Sequence, residues 1–168
     1  EFVPDSRVAL FKTKANSAQN SIVLTGETNL PEAKNALLSS LDEQNIPYAD
    51  SISILPAKDL GDKTYALVNN SVSNLRSEPK HSAQLATQAL LGMPLKVLKK
   101  RGGWYLVQTP EDYLSWVDGG GITRVNKSTL SNWADASKII YLNTVGSSFK
   151  KANASSQKVS DLVAGNIL

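Results

Sequence analysis

The sequence predicts an α+β protein: a small α/β unit (residues 1–64), a small β-barrel (65–126), and the first part of a second unit of the same kind (127–168). Three observations favour this division. A helical apolar pattern lies between strand-like segments near the start. Short strand-like segments crowd the middle of the chain. The tail repeats part of the middle, which is the mark of a duplicated unit.

The first unit combines strand-like segments with one helix. Residues 8–11 and 21–25 are rich in residues that favour strands, and residues 51–55 alternate as a strand does. Between them, Pro31 suits the first position of a helix. Apolar residues then recur at helical spacing, at Ala33, Leu37 and Leu41. The order strand, strand, helix, strand predicts one helix packed on a small sheet.

The central residues form a series of short strand-like segments separated by turn residues. The segments are 65–68, 71–76, 94–98, 104–108 and 113–117. Glu-Pro, Gly-Gly and Thr-Pro-Glu-Asp sequences separate them, and three glycines at 119–121 predict a flexible turn or linker. Several short strands within about 60 residues predict a small barrel or sandwich.

The tail begins with a predicted helix and then repeats the centre. Residues 127–138 predict a helix with Ser128 as its N-cap, and 138–143 predict a strand. Displacing the chain against itself by 73 positions aligns 24 residues with five identities. The identical pairs are Val72/Val145, Ser82/Ser155, Gln84/Gln157, Gly92/Gly165 and Leu95/Leu168. We therefore expect the chain to end inside a second barrel that has unpaired edge strands.

Composition excludes several kinds of active site. The 168 residues include no Cys and one His, and their formal charge is +3. Without Cys there is no disulfide, no thiol nucleophile and no Cys-ligated metal, and a catalytic base of the imidazole type would have to be His81. No apolar run is long enough to span a bilayer. The charge is too small to favour nucleic acid. We expect a chain that is not an enzyme and needs no cofactor.

The central segment resembles the start of a bacterial SH3-like domain. Residues 71–92 hold a strand with Asn-Leu-Arg at 74–76, then Pro79, a variable loop and an apolar run that ends in Gly92. The later segments 103–107 and 113–117 resemble two further strands of that family. More narrowly, the segment is similar to the first SH3-like domain of exported NlpC-type cell-wall peptidases. The tail, 159–168, is similar to the opening half of their second SH3-like domain.

The resemblance implies that this chain serves an enzyme whose catalytic residues lie in another domain. In those enzymes the SH3-like domains precede a cysteine peptidase domain that cuts γ-D-glutamyl–diamino-acid bonds in peptidoglycan stem peptides. The nucleophilic Cys and catalytic His would then lie after Leu168, and this chain would hydrolyse nothing. The implied partners are peptidoglycan stem peptides or glycan, and the implied location is exported, in the periplasm or cell envelope. The many Ser and Asn residues agree with export, whereas Glu1 in place of Met indicates either a removed leader or an artificial start.

The resemblance also implies two residues of a peptide site. In the family, an acidic residue before a Thr-Gln pair and a Tyr after Thr-Pro-Asp help to recognise the free amine of the stem peptide. Tyr113 matches the second position. Gln84 stands where the acidic residue is expected, and its neutral amide can accept a hydrogen bond but supplies no charge.

Other side chains join the predicted ligand-binding set with alternatives open. The segments 104–108 and 113–117 carry four aromatic residues: Trp104, Tyr105, Tyr113 and Trp116. They form either the core and edge of the barrel or a ligand-binding wall like that of SH3 domains that bind proline-rich peptides. His81 is a solvated loop residue or part of a site. The basic cluster at 96–101 is a hairpin tip or a contact for an anionic polymer. The predicted set is Arg76, His81, Gln84, Trp104, Tyr105, Tyr113 and Trp116.

Two functions follow from the sequence. The first is a non-catalytic module of an exported cell-wall peptidase that binds or positions peptidoglycan fragments. The alternative is an SH3-like module of the cell envelope that binds peptides or other proteins.

Overall fold

The structure, a computed structural model, describes residues 5–18 and 21–168. These residues are mostly β-strand, with two α-helices among them. The strands form sheets of three, seven and two strands in chain order. The prediction of a chain rich in short strands, with a helix near each end, is confirmed.

The three-stranded sheet carries one helix, in the order that the sequence predicts. Its elements are β1 (Phe11–Ala18), β2 (Ser21–Thr28), α1 (Pro31–Glu43) and β3 (Tyr48–Ile54). β1 and β2 are antiparallel, whereas β2 and β3 are parallel and α1 connects them. The parallel pair needs such a crossover because its strands run in the same direction. Pro31 lies in the first turn of α1, and Ala33 is buried beneath the helix.

The first predicted strand is misplaced. β1 begins at Phe11 rather than at residue 8, because the backbone before it is bonded to the seven-stranded sheet instead. The amide of Leu114 donates to the carbonyl of Arg7 at 2.7 Å. The side chain of Gln108 donates to the carbonyl of Val8 at 3.3 Å.

The seven-stranded sheet wraps around one core. Its strands are β4 (Tyr65–Val68), β5 (Val72–Arg76), β6 (Leu85–Leu90), β7 (Pro94–Arg101), β8 (Trp104–Gln108), β9 (Leu114–Asp118) and β10 (Ile122–Val125). They follow the order β10-β4-β7-β8-β9-β5-β6. Every strand contributes to one buried aliphatic cluster, and we call the sheet the barrel. Its two edge strands, β6 and β10, are not paired with each other, so the barrel is open along that side.

Two features of the barrel differ from the sequence prediction. β6 is a strand that the sequence pattern does not identify. The glycines at 119–121 form a 3-10 turn rather than a flexible linker. The amide of Gly120 donates to the Asp118 carboxylate at 2.7 Å, and Gly121 is buried, so this turn has a fixed position.

A bulge in β7 gives the barrel a second buried surface. The register between β7 and β8 shifts between Val97 and Lys99. Val97 therefore lies in the barrel core, whereas Leu98 is buried against Leu55 and Leu106. We call this second cluster the junction core, because half-buried side chains from both sheets surround it: Leu10, Ala57, Leu114 and Trp116.

The C-terminal part departs from its predicted boundaries. It consists of α2 (Lys127–Asp135) and a hairpin of β11 (Val145–Phe149) and β12 (Lys158–Val163). The N-cap of α2 is Asn126, whose side chain accepts from the Thr129 amide at 2.9 Å, and not Ser128. The predicted strand at 138–143 is reduced to a single bridge between Ile140 and Ile167.

The β11–β12 hairpin repeats the β5–β6 hairpin at the displacement that the sequence shows. Val72 pairs with Leu90 in the first hairpin, and Val145 pairs with Val163 in the second. In both hairpins a bulge precedes the last residue of the first strand. The two hairpins therefore share their length, register and irregularity.

The repeat extends beyond the hairpins. Gly92, with φ +83°, donates to the carbonyl of Val68, and Gly165, with φ +91°, donates to that of Tyr141. Ala66 and Leu95 are buried in the barrel, whereas their counterparts in the second copy, Ile139 and Leu168, are exposed. Further large apolar side chains of the second copy are also exposed: Ile140, Leu142, Val145, Phe149 and Val159.

Buried polar contacts hold the second hairpin against the barrel. The fully buried side chain of Asn166 donates to the carbonyl of Ser71 at 2.9 Å. The Ser71 hydroxyl donates to the Asp161 carboxylate at 2.6 Å, and this hydrogen bond lowers the pKa of Asp161. The amide of Ile167 donates to the carbonyl of Leu91 at 2.9 Å. These contacts tie the tail to the residues that flank the β5–β6 hairpin.

Candidate functional site

The structure divides the predicted ligand-binding residues among separate places. Gln84 and Tyr113 line one cavity. Arg76, His81 and Trp104 line a second cavity. Trp116 and Tyr105 lie elsewhere, against the junction core and the barrel core respectively.

The first cavity, which we call the Tyr113 pocket, has a volume of about 480 Å³. It lies where the starts of β6 and β9 meet the segment before β1. Its lining residues are Arg7, Ser77, Gln84, Leu85, Ala86, Thr87, Tyr113, Leu114 and Ser115. The Tyr113 pocket thus combines apolar side chains, hydroxyls, one amide and one guanidinium.

A tight turn presents Tyr113 to this pocket. The amide of Asp112 donates to the Thr109 carbonyl at 2.9 Å, and Asp112 has a φ of +67°. The amide of Tyr113 then donates to the Thr109 hydroxyl at 3.3 Å. Tyr113 is 42% exposed. Within the described part of the chain, neither its hydroxyl nor the Gln84 amide group has a hydrogen-bond partner, so both are free to bind a ligand.

Arg7 enters the pocket from the first part of the chain. The bond from Leu114 to the Arg7 carbonyl places the residue beside β9. The Arg7 guanidinium binds Asp5, with a shortest nitrogen–oxygen distance of 2.7 Å. This pairing lowers the pKa of Asp5 and raises the pKa of Arg7, so both remain charged at neutral pH. No local sequence pattern connects Arg7 with a turn so far along the chain, so the sequence alone does not predict its place in the pocket.

The second cavity, which we call the His81 pocket, has a volume of about 280 Å³ and lies beside the 3-10 turn. His81 Nε2 lies 3.5 Å from the Asp118 carboxylate. The imidazole meets the Trp104 ring edge-on, with centroids 4.9 Å apart. Arg76 has a structural partner, because its Nη1 donates to the carbonyl of Ala83 at 2.8 Å. No nucleophile is within hydrogen-bonding distance of His81 in the described residues.

The remaining aromatic residues have other surroundings. Trp116 packs at the junction core, with the ammonium of Lys99 5.5 Å from its ring centroid. Tyr105 packs against the barrel core, and Lys100 and Arg124 lie 5.8 and 5.4 Å from its ring. The four aromatic side chains therefore do not form one continuous wall.

In residues 5–18 and 21–168, no group of three or more His, Asp or Glu side chains is arranged to hold a metal ion. Neither of the helices described above is long and apolar enough to cross a membrane.

Comparisons with known proteins agree with the geometry of the barrel. Residues 75–122 match the family described as bacterial dipeptidyl-peptidase Sh3 domain. A similar solved structure is that of an NlpC/P60 endopeptidase from Photobacterium damselae subsp. piscicida, with 15% sequence identity and a TM-score of 0.52. The match covers 84% of this chain and 32% of that one, so this chain spans about a third of its length. No curated protein matches.

Proposed function

Since residues 75–122 match the family of bacterial dipeptidyl-peptidase Sh3 domains, we propose that the chain is a non-catalytic accessory module of an exported cell-wall peptidase. Its role is to bind peptidoglycan stem peptides and to position them for a peptidase domain. The observation that carries the proposal is that Gln84 and Tyr113 line one cavity. The family resemblance assigns peptide recognition to these two positions. Both side chains reach that cavity with polar groups free.

The proposal assigns three parts to the chain. Residues 1–64 are an accessory unit, 65–126 are the first SH3-like domain, and 127–168 are a helical linker with the first part of a second SH3-like unit. The shared register of the two hairpins supports the last assignment. In the first copy, Leu95 is buried by strands that follow it, whereas its counterpart Leu168 is 49% exposed. The second copy therefore has the first hairpin of a barrel but not the strands that bury Leu95 in the first copy.

The experiment titrates the full chain with a γ-D-glutamyl–diamino-acid peptide and follows amide chemical shifts by NMR. We expect shifts around the Tyr113 pocket. Tyr113→Ala should weaken binding about five-fold, which corresponds to one hydrogen bond of about 1 kcal/mol. Tyr48→Ala, a tyrosine on β3 far from the pocket, is the matched control and should leave the affinity unchanged. Co-sedimentation with purified sacculi extends the test to the intact wall.

Two results would contradict the proposal. One is an absence of both chemical-shift changes and co-sedimentation. The other is a set of shifts confined to the His81 pocket, which would favour the alternative of a peptide or protein interaction module there.

A further inference from the structure

The Tyr113 pocket has an unusual charge for a site expected to hold an amine. Of its lining side chains, one is charged, and that one is the guanidinium of Arg7. At the position where an acidic residue is expected, Gln84 is neutral. An ammonium group in this pocket would find no opposite charge on the lining and would lie near a like charge, which is unfavourable.

Arg7 keeps hydrogen-bonding capacity for a ligand. Asp5 accepts from Nε and from Nη2, at 3.0 and 2.7 Å. No acceptor for Nη1 occurs within residues 5–18 and 21–168. Since a guanidinium carries donors along two edges, the edge formed by Nη1 and Nη2 can still donate hydrogen bonds to a carboxylate. Asp5 is not among the residues that line the cavity.

We propose that the Tyr113 pocket binds a carboxylate group of a peptide, with Arg7 as its charged partner. The inference rests on the proposed function for the peptide class, and it adds the group that is recognised. An arginine–carboxylate hydrogen bond is about twice as strong as a neutral one. The Tyr113 hydroxyl and the Gln84 amide nitrogen can donate to the same anion.

The rest of the lining fits the body of a small residue. Leu85 is 48% exposed and lies beside Ala86, so the two present apolar surface next to the polar groups. Hydroxyls of Ser77, Thr87 and Ser115 line the same cavity and can bind peptide groups. The ligand class is therefore a short peptide that carries a free carboxylate beside a small aliphatic side chain.

Asp5 competes with such a ligand for the guanidinium. Because the side-chain hydrogen bond from Arg7 lowers the pKa of Asp5, this carboxylate is ionised at neutral pH and offsets part of the charge of Arg7. Asp5→Asn removes the competing charge, so it should strengthen carboxylate binding about two- to five-fold. A purely structural Asp5–Arg7 pair would give no such gain.

The test uses the full chain and three forms of one γ-D-glutamyl–diamino-acid peptide: unmodified, amidated at its carboxylates, and N-acetylated. Calorimetry gives the affinities. We expect amidation to weaken binding about ten-fold and acetylation to leave it nearly unchanged. Arg7→Gln should weaken binding of the unmodified peptide about ten-fold and remove the difference between the unmodified and amidated forms. Arg101→Gln, an exposed arginine at the end of β7, is the matched control.

The opposite pattern would overturn the inference. If acetylation weakens binding and amidation does not, the pocket binds an amine, and the proposed function survives without this inference. If no form of the peptide binds, the proposed function fails. The carboxylate inference is then tested separately, by comparing the chemical-shift changes that N-acetyl-alanine and its amide cause at Tyr113. In that case, equal or absent chemical-shift changes at Tyr113 with these two probes would refute it. Thermal melts check that Arg7→Gln remains folded, as its 70% exposed side chain predicts.

Discussion

Leu98 joins the three-stranded sheet to the barrel, and its truncation tests that junction. The side chain has 0% exposure and packs against Leu55 and Leu106. Leu98→Ala removes the equivalent of three methylene groups, or roughly 2.4 kcal/mol at about 0.8 kcal/mol each. A cavity left behind adds to this loss, and leucine truncations in cores span about 2–5 kcal/mol.

The surroundings of Leu98 place the expected loss near the lower end of that range. Leu10, Leu114 and Trp116 border the junction core and are only half-buried. Half-buried side chains can move into a cavity more easily than enclosed ones, so the cavity term should be small. We expect the free energy of unfolding to fall by about 2–3 kcal/mol.

Urea denaturation followed by tryptophan fluorescence measures this loss, because Trp116 lies at the junction. Hydrogen exchange should also show faster opening of β1–β3. Leu142→Ala makes the same substitution at a side chain that is 82% exposed, and as a control it should cost under about 0.5 kcal/mol. A loss for Leu98→Ala as small as that of the control would refute the idea that this residue joins the two sheets.

Three further predictions concern the contacts that hold the tail. Gly92→Ala should destabilise the chain by several kcal/mol in thermal unfolding, because φ is +83° and a Cβ would lie 2.5 Å from the Ile167 carbonyl oxygen; an unchanged melting temperature would contradict this. Asn166→Ala should cost about 1–3 kcal/mol by urea denaturation, because it removes both hydrogen bonds of this buried side chain, to the Ser71 carbonyl and from the Val163 amide. The Asp161 contact should be sensitive to acid. Since its pKa is lowered from 3.8 in the fold, its contribution is present above that value and is lost as the pH falls below it. The stability difference between the wild type and Asp161→Asn should therefore shrink as the pH falls through the lowered pKa of Asp161, which thermal melts at several pH values can show.

The sequence predicts elements whose signals are local. Helix α1 follows from Pro31 and from apolar residues at helical spacing. The repeat is visible because Gly92 and Gly165 occupy turns with positive φ, which few other residues tolerate. A glycine at such a turn is hard to replace even where the other residues of the two copies differ. Five identities that include this glycine therefore predict that the two hairpins share a register.

Features that depend on distant contacts escape prediction. β6 has the sequence Leu-Ala-Thr-Gln-Ala-Leu, which lacks strict alternation and holds one β-branched residue, Thr87. Its pairing with β5 makes it a strand. The bulge that turns Leu98 outward depends on the register with β8. Two residues of the Tyr113 pocket, Gln84 and Tyr113, are predicted from the family resemblance. Arg7 reaches it only through a backbone bond between segments far apart in the chain.

The polypeptide passes between the barrel and the three-stranded sheet twice. It lies on the barrel at Arg7 and Val8, crosses into β1, and returns where the Ala57 amide bonds to Leu98. A single connection would permit torsion of one sheet against the other. Here the two connections flank the packed side chains of the junction core, and the Lys99–Glu27 ion pair adds a further link between β7 and β2, so the position of Arg7 beside Tyr113 depends on the whole junction.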